Sequence, residues 1–204
     1  MFYTLVYVLS RILSRILFKL EVTGLENIPE QGPFILVSNH RSNLDPPLIA
    51  VSTKRRLYFL AKAELFENRI NATMLKWLHC IMIDRNGVGK SALKKARLEL
   101  SRGQGLLVFP EGTRSLDAKL KPGKPGISAF AFDAHPLIIP TFIDGTEKAM
   151  PRGSSSIRLA KVKVIFGKPF KADRLTDKRE RKKAYQHFID KVMREILTLE
   201  KAQT

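Results

Sequence analysis

The chain has 204 residues, 44% of them hydrophobic, and carries 36 Lys and Arg against 19 Asp and Glu, a formal net charge of +17. That length suits one domain with a true core, and that apolar content excludes a disordered chain. The lone cysteine, Cys80, excludes an internal disulfide framework, while the cationic excess calls for a polyanionic partner, either an anionic membrane surface or nucleic acid.

The N-terminus reads "MFYTLVYVLSRILSRILFKL". It lacks the basic leader and small-residue cleavage site of a secretory signal. Its unbroken apolar run, Leu5 to Leu9, falls far short of the roughly 20 residues that span a bilayer. On a helix, Ser10, Arg11, Ser14, Arg15 and Lys19 share one face, and Leu9, Ile12, Leu13, Ile16, Leu17 and Leu20 share the other. Such a helix either packs its apolar face on its own domain or lies in a membrane interface, and the net charge favours the membrane.

Farther along, "GPFILVSN" reads as a short buried strand entered from a Gly-Pro turn, and Pro46 and Pro47 open a short helix, "PPLIAVS". "RLYFLAK" is a strand. "ELFENRINATMLKWLH" has helical periodicity in Leu65, Phe66, Met74, Leu75, Trp77 and Leu78. "CIMID" is a strand, and "KSALKKARLELSRG" a helix ended by Gly103. The strand "GLLVFP", the short helix "GISAFAFDA", the strand "PLIIPTFID" and the strand "AKVKVIFG" follow, the last alternating through Val162, Val164 and Phe166. From Leu175 onward a charged helix carries Tyr185, Phe188, Val192 and Ile196 as its buried stripe. Strands alternating with helices predict an α/β class: one domain with a largely parallel mixed sheet flanked by helices. The expected division is residues 1–20 as an amphipathic membrane-associating helix and 21–204 as the folded domain.

Ligands of open α/β sheets gather at the carboxyl ends of strands, which singles out "SNHRSNLD", "IDRNGVGKS" and "FPEGTRS". The middle stretch approaches a phosphate-binding P-loop in Gly89, Lys90 and Ser91, but Asp84 stands where the first glycine belongs, and a carboxylate there opposes the phosphates. The first stretch places His40 five residues before Asp45. The two can meet across a turn at a strand end. Alternatively, Asp45 followed by proline is an ordinary helix start, with the aspartate as N-cap. In the third stretch a strand ends in Pro110, followed by Glu111, Gly112, Thr113 and Arg114. Arg114, Arg85 and Lys62 all fall at strand ends, and three cations at one sheet edge can hold a phosphate.

"NHRSNLD" and "FPEGTRS" resemble the first and third motifs of the glycerolipid acyltransferases typified by 1-acylglycerol-3-phosphate acyltransferase. "IMIDR" is similar to that family's second motif, and "LIIP", ending at Pro140, to its fourth. All four stand in the family's order, between about Val22 and Phe170. The first motif alone is weak; paired with F-P-E-G-T-R it is specific. One departure is "KPGKPGISAFA", where Gly123 and Pro125 occupy positions that are often aromatic and basic. The resemblance implies that His40 is a general base and that Asp45 orients and stabilises its imidazole. It implies that Glu111, Gly112, Thr113 and Arg114 bind the glycerol phosphate, with Arg85 and Lys62 sharing the charge. Ile139 and Pro140 would shape the acyl-donor side. It implies acyl transfer from a thioester, carried by coenzyme A or acyl carrier protein, to the free hydroxyl of 1-acylglycerol 3-phosphate, giving phosphatidic acid, with another lysolipid or headgroup as the alternative acceptor. The expected setting is peripheral, on the cytoplasmic face of the cell membrane.

The residues support such chemistry on their own terms. An alcohol needs a base with a pKa near 7 to become a nucleophile, and histidine meets that need. No serine sits in a G-x-S-x-G elbow, so direct transfer without an acyl-enzyme is expected. A thioester already has a good leaving group, and the scattered histidines and single cysteine offer no metal-ligand spacing, so neither cofactor nor metal is expected. A nucleic-acid-binding protein is suggested only by net charge, without a docking motif.

Overall fold

The computed structural model describes residues 2–69, 72–73, 75, 79–83, 88–154, 156–173 and 177–203. Among these, seven strands form one sheet: β1 (Glu21–Thr23), β2 (Phe34–Ser38), β3 (Leu57–Lys62), β4 (Cys80–Ile83), β5 (Gly105–Val108), β6 (Leu137–Asp144) and β7 (Lys163–Phe166). The helices are α1 (Phe2–Phe18), α2 (Asp45–Ser52), α3 (Lys90–Ser101), α4 (Ser128–Ala134), α5 (Thr146–Ala149) and α6 (Arg181–Lys201). The sheet order is β1-β7-β6-β2-β5-β3-β4, with every pair parallel except β6 and β7. The expected α/β class and largely parallel sheet are what the chain adopts.

Period-two alternation builds two cores from one sheet. Ile35 and Val37, Leu106 and Val108, and Ile138 and Phe142 face α3, α4 and α6, where Ala92, Ala96, Phe130, Phe188, Val192 and Ile196 meet them. Phe34 and Leu36, Leu107, and Ile139 and Ile143 face the other way, onto Phe18, Leu48, Ile49 and Ala149 of α1, α2 and α5. Because β2, β5 and β6 are covered on both faces, their sequences read as near-continuous apolar runs.

Two elements have no counterpart in the sequence reading. β1 is three residues long and only Val22 is half-buried, so no alternation marks it. α5 is a single turn. Of the helix expected from Glu64 to His79, Ala63–Phe66 is a 3-10 turn, residues 69, 72, 73 and 75 are helical, and Met74, Trp77 and Leu78 lie outside the described residues.

Helix α1 packs on α2 with the opposite face from the one its apolar stripe would choose. Ser14 and Phe18 are buried, and the Ser14 hydroxyl is satisfied by the carbonyl of Arg11 at 2.9 Å. Leu9, Ile12, Leu13 and Ile16 are each more than half exposed, Ile16 at 68%. From that stripe Leu17 and Leu20 pack against the domain core, whereas Leu9, Ile12, Leu13 and Ile16 do not hold the helix to it. No helix among the described residues is long and apolar enough to cross a membrane.

The turn between β6 and α5 depends on Gly145. Its φ is +84°, and a Cβ there would stand 2.0 Å from the carbonyl oxygen of Lys161. Gly145→Ala is therefore expected to lower stability by about 2 kcal/mol or more, read as a fall in the urea midpoint at unchanged m-value.

Candidate active site

β2 lies between β6 and β5. The three segments that leave their carboxyl ends, after Ser38, Val108 and Asp144, are therefore neighbours in space although remote in sequence. Where β2 ends, the Asn39 amide continues its pairing with β6: Nδ2 donates to the Ile143 carbonyl and Oδ1 accepts from the Ile143 N–H, both at 2.8 Å. The chain then turns, and His40 sits at the centre of this sheet edge.

His40 Nδ1 lies 2.7 Å from Asp45 Oδ2. That oxygen also accepts the N–H groups of Arg41 at 2.6 Å and Ser42 at 2.7 Å, and Oδ1 accepts the Thr146 hydroxyl at 2.5 Å. Asp45 is fully buried. An acceptor ringed by donors requires the imidazole to donate as well, so Nδ1 carries the proton and Nε2 is left as the basic nitrogen. The helix-cap alternative for Asp45 is not realised. Leu44 holds the N-cap position without a side-chain cap, and Asp45 stands in the first turn with its carboxylate aimed back at the preceding loop. Pro46 and Pro47 follow it in that turn, where a missing N–H costs nothing.

The segment after β5 wraps His40 from the other side. The Phe109 ring stacks on the imidazole, with centroids 4.0 Å apart and planes 19° apart. Glu111 Oε1 accepts the His40 N–H at 2.9 Å, and the His40 carbonyl accepts the Ser115 N–H at 2.8 Å. Glu111 Oε2 accepts the Lys121 N–H at 3.1 Å. Both carboxylate oxygens are thus engaged by the main chain, in a residue only 3% exposed. Burial pushes the Glu111 carboxyl above its ordinary range, and the N–H donors of His40 and Lys121 pull it back only in part. With both oxygens engaged by the main chain, Glu111 fastens this loop to the turn that carries His40.

The other anticipated residues fall in distinct places. Gly112 is exposed, at φ +68°, and the Lys124 side chain crosses over it within 3.2 Å of where a Cβ would stand. Thr113 and Arg114 are half-buried in the same loop. Lys62 is exposed at the end of β3. Since β5 intervenes, β3 lies about 10 Å from β2 across the sheet. Arg85 lies outside the described residues. Ile139 is fully buried and Pro140 is buried beside Val37 of β2, so neither offers surface to a ligand.

Several residues of this edge carry no sequence signal. Arg41, only 7% exposed, pairs with Asp144 and reaches Glu200 Oε1 at 2.6 Å, so the end of α6 is tied to the turn that carries His40. Arg152 Nη1 donates to the Arg114 carbonyl at 3.0 Å, bringing another cation to the loop. Phe109 and Thr146 look in the sequence like a strand end and an ordinary polar residue. Burial pushes the Cys80 thiol up to about 11, leaving it inert. No group of three or more His, Cys, Asp or Glu among the described residues is placed to hold a metal ion.

A family model described as acyltransferase matches residues 19–144. The chain belongs to the acyltransferase family. It is 32% identical over 172 residues to a chloroplast 1-acyl-sn-glycerol-3-phosphate acyltransferase of Brassica napus, covering 81% of this chain and 50% of that protein. It is 30% identical over 151 residues to the 1-acyl-sn-glycerol-3-phosphate acyltransferase of Bacillus subtilis, covering 73% and 72%. The crystal structure of the 1-acyl-sn-glycerophosphate acyltransferase PlsC from Thermotoga maritima superposes with a TM-score of 0.70 at 27% identity, covering 92% of this chain and 79% of that one. The chain spans about half the length of the plant relatives it matches.

Glu111→Gln would set an amide N–H₂ against a main-chain N–H whichever way it turns. It is expected to lower kcat for acyl transfer by roughly tenfold or more while leaving acceptor KM within about twofold. Steady-state kinetics with varied acceptor decide this; a raised KM at unchanged kcat would instead mark Glu111 as a substrate-binding residue.

Proposed function

We propose that the chain transfers a fatty acyl group from a thioester to the free hydroxyl of 1-acylglycerol 3-phosphate, giving phosphatidic acid. The observation that carries this reading is the buried Asp45 carboxylate, 2.7 Å from His40 Nδ1, on a sheet edge that also bears Arg114. His40 Nε2 takes the hydroxyl proton as the acceptor oxygen attacks the thioester carbonyl. Asp45 stabilises the imidazolium so formed, and the stacked face of Phe109 favours the same charge. The tetrahedral intermediate then expels the thiolate, which regains a proton from the imidazolium. Base, proton and leaving group balance within one site, and neither an acyl-enzyme nor a cofactor enters the scheme.

The acceptor phosphate is bound by Arg114, with the Gly112 and Thr113 segment beside it and Lys62, Lys124, Arg152 and Arg85 contributing positive charge. The donor is a coenzyme A or acyl-carrier-protein thioester. Residues 1–20 act as the membrane-associating helix and residues 21–204 as the transferase domain. The exposed Leu9, Ile12, Leu13 and Ile16, with Arg11, Arg15 and Lys19 alongside, suit the interface of an anionic bilayer, so the protein sits peripherally on the cytoplasmic face of the cell membrane. The net charge serves that surface and not nucleic acid.

Labelled acyl thioester incubated with lysophosphatidic acid, and with a panel of other lysolipids, tests the chemistry. His40→Ala is expected to reduce kcat by at least about 10²–10⁴-fold with the fold intact, whereas Arg114→Ala mainly raises acceptor KM. A near-normal rate in His40→Ala would refute the mechanism.

Membrane attachment is tested separately by flotation with phosphatidylglycerol-containing vesicles. The pair Ile12→Asp and Ile16→Asp is expected to lose most of the bound fraction while the melting temperature hardly moves, because both side chains face outward. Unchanged flotation, or retention only on nucleic acid, would argue against the bilayer.

A further inference from the structure

The turn that carries His40 is gripped from the corner between β6 and α5, which belongs to none of the four motif stretches. Four contacts make the grip. Asn39 and Ile143 exchange two hydrogen bonds at 2.8 Å. Arg41 pairs with Asp144. The Ser42 hydroxyl donates to the Met150 carbonyl at 2.7 Å. Thr146 Oγ1 donates to Asp45 Oδ1 at 2.5 Å. Three of these hold the turn; the last holds the carboxylate itself.

The two oxygens of Asp45 have different duties. Oδ2 faces the imidazole and the N–H groups of Arg41 and Ser42, while Oδ1 is engaged by Thr146. A carboxylate fixed through one oxygen can still turn about its Cβ–Cγ bond, which is a broad, soft torsion. Fixing the second oxygen removes that freedom, and with it the freedom of the imidazole. Thr146 and Asp45 are both fully buried, so solvent does not replace the hydroxyl if it is lost. The left-handed backbone of Gly145 brings the hydroxyl to this place at the start of α5.

We propose that Thr146 is a positioning residue for the base, its hydroxyl locking the Asp45 carboxylate so that His40 Nδ1–H is held and Nε2 is aimed at the acceptor hydroxyl. This rests on the reading of His40 as the base. Thr146 touches neither substrate, so its loss acts on the rate and not on acceptor affinity.

The test compares the unsubstituted 204-residue chain with Thr146→Val, which replaces the hydroxyl by a methyl, and Thr146→Ser, which keeps it. Folding is checked by circular dichroism, and Thr146→Ala serves as the hydroxyl-less variant if valine prevents folding. With lysophosphatidic acid and acyl-coenzyme A, the hydroxyl-less variant is expected to lose roughly 10- to 100-fold in kcat, the scale of a small misplacement of a reacting group, with acceptor KM within about twofold. Thr146→Ser should recover most of that loss. A second readout needs no turnover: the low-field proton resonance of a held imidazole Nδ1–H, assigned by its absence in His40→Ala. It should be present in the wild type and in Thr146→Ser, and shifted or broadened away in the hydroxyl-less variant. The proposal is overturned if that variant keeps the wild-type resonance or kcat, if its loss lies in KM alone, or if serine falls with it. A wild type inactive on these substrates would fail the assigned reaction instead, and the resonance comparison would still decide the role of Thr146.

Discussion

A single buried carboxylate organises the edge of the sheet that carries His40. Asp45 has no access to solvent, so its charge must be met by protein donors or carry a cost of several kcal/mol. Four donors meet it: the imidazole of His40, the N–H groups of Arg41 and Ser42, and the hydroxyl of Thr146. Each also constrains its own segment. The two N–H groups shape the turn after β2, the imidazole takes one tautomer, and the Thr146 hydroxyl draws in the corner after β6. Satisfying one charge therefore fixes the conformations of two loops and the orientation of the imidazole.

The order of strands makes this possible. β2 runs through the middle of the sheet, flanked by β6 and β5, and all three point the same way. Their carboxyl ends deliver His40, Thr146 and Glu111 to one place from widely separated stretches of chain. Glu111 does for the other side what Asp45 does for its own: a buried acid whose oxygens are taken up by main-chain N–H groups of His40 and Lys121. The outer layers complete the frame, since the buried Arg41 ties the turn to Glu200 near the end of α6.

Much of this was legible in the amino-acid pattern, and the reasons for the gaps are physical. Alternating and continuous apolar runs announce β2, β5, β6 and β7 because each buries one face or both. β1 and α5 escape notice because three or four residues cannot display a period. The polar and apolar faces of α1 were readable, but not which of them the domain would hold: Ser14 and Phe18 face inward and Ile16 outward. For Glu111 the motif supplied a phosphate-binding role by resemblance and said nothing of its surroundings. Its burial and its main-chain partners are decided by Lys121 and His40, and no local pattern reports that encounter. The burial of Ile139 and Pro140 follows from their pairing with β2, a neighbour that their own stretch of sequence does not name.

By itself the sequence determined the α/β class, the apolar cores, the cationic balance, and the two motif stretches that hold His40, Asp45 and Arg114. These are local properties, written in periodicity, residue type and spacing. Only the tertiary structure decided that Asp45 reaches the imidazole instead of capping its helix, that Glu111 fastens a loop, and that Thr146 and Phe109 adjoin the dyad. Those outcomes depend on which strands lie side by side and on which donors surround a buried charge, and both are settled by long-range packing.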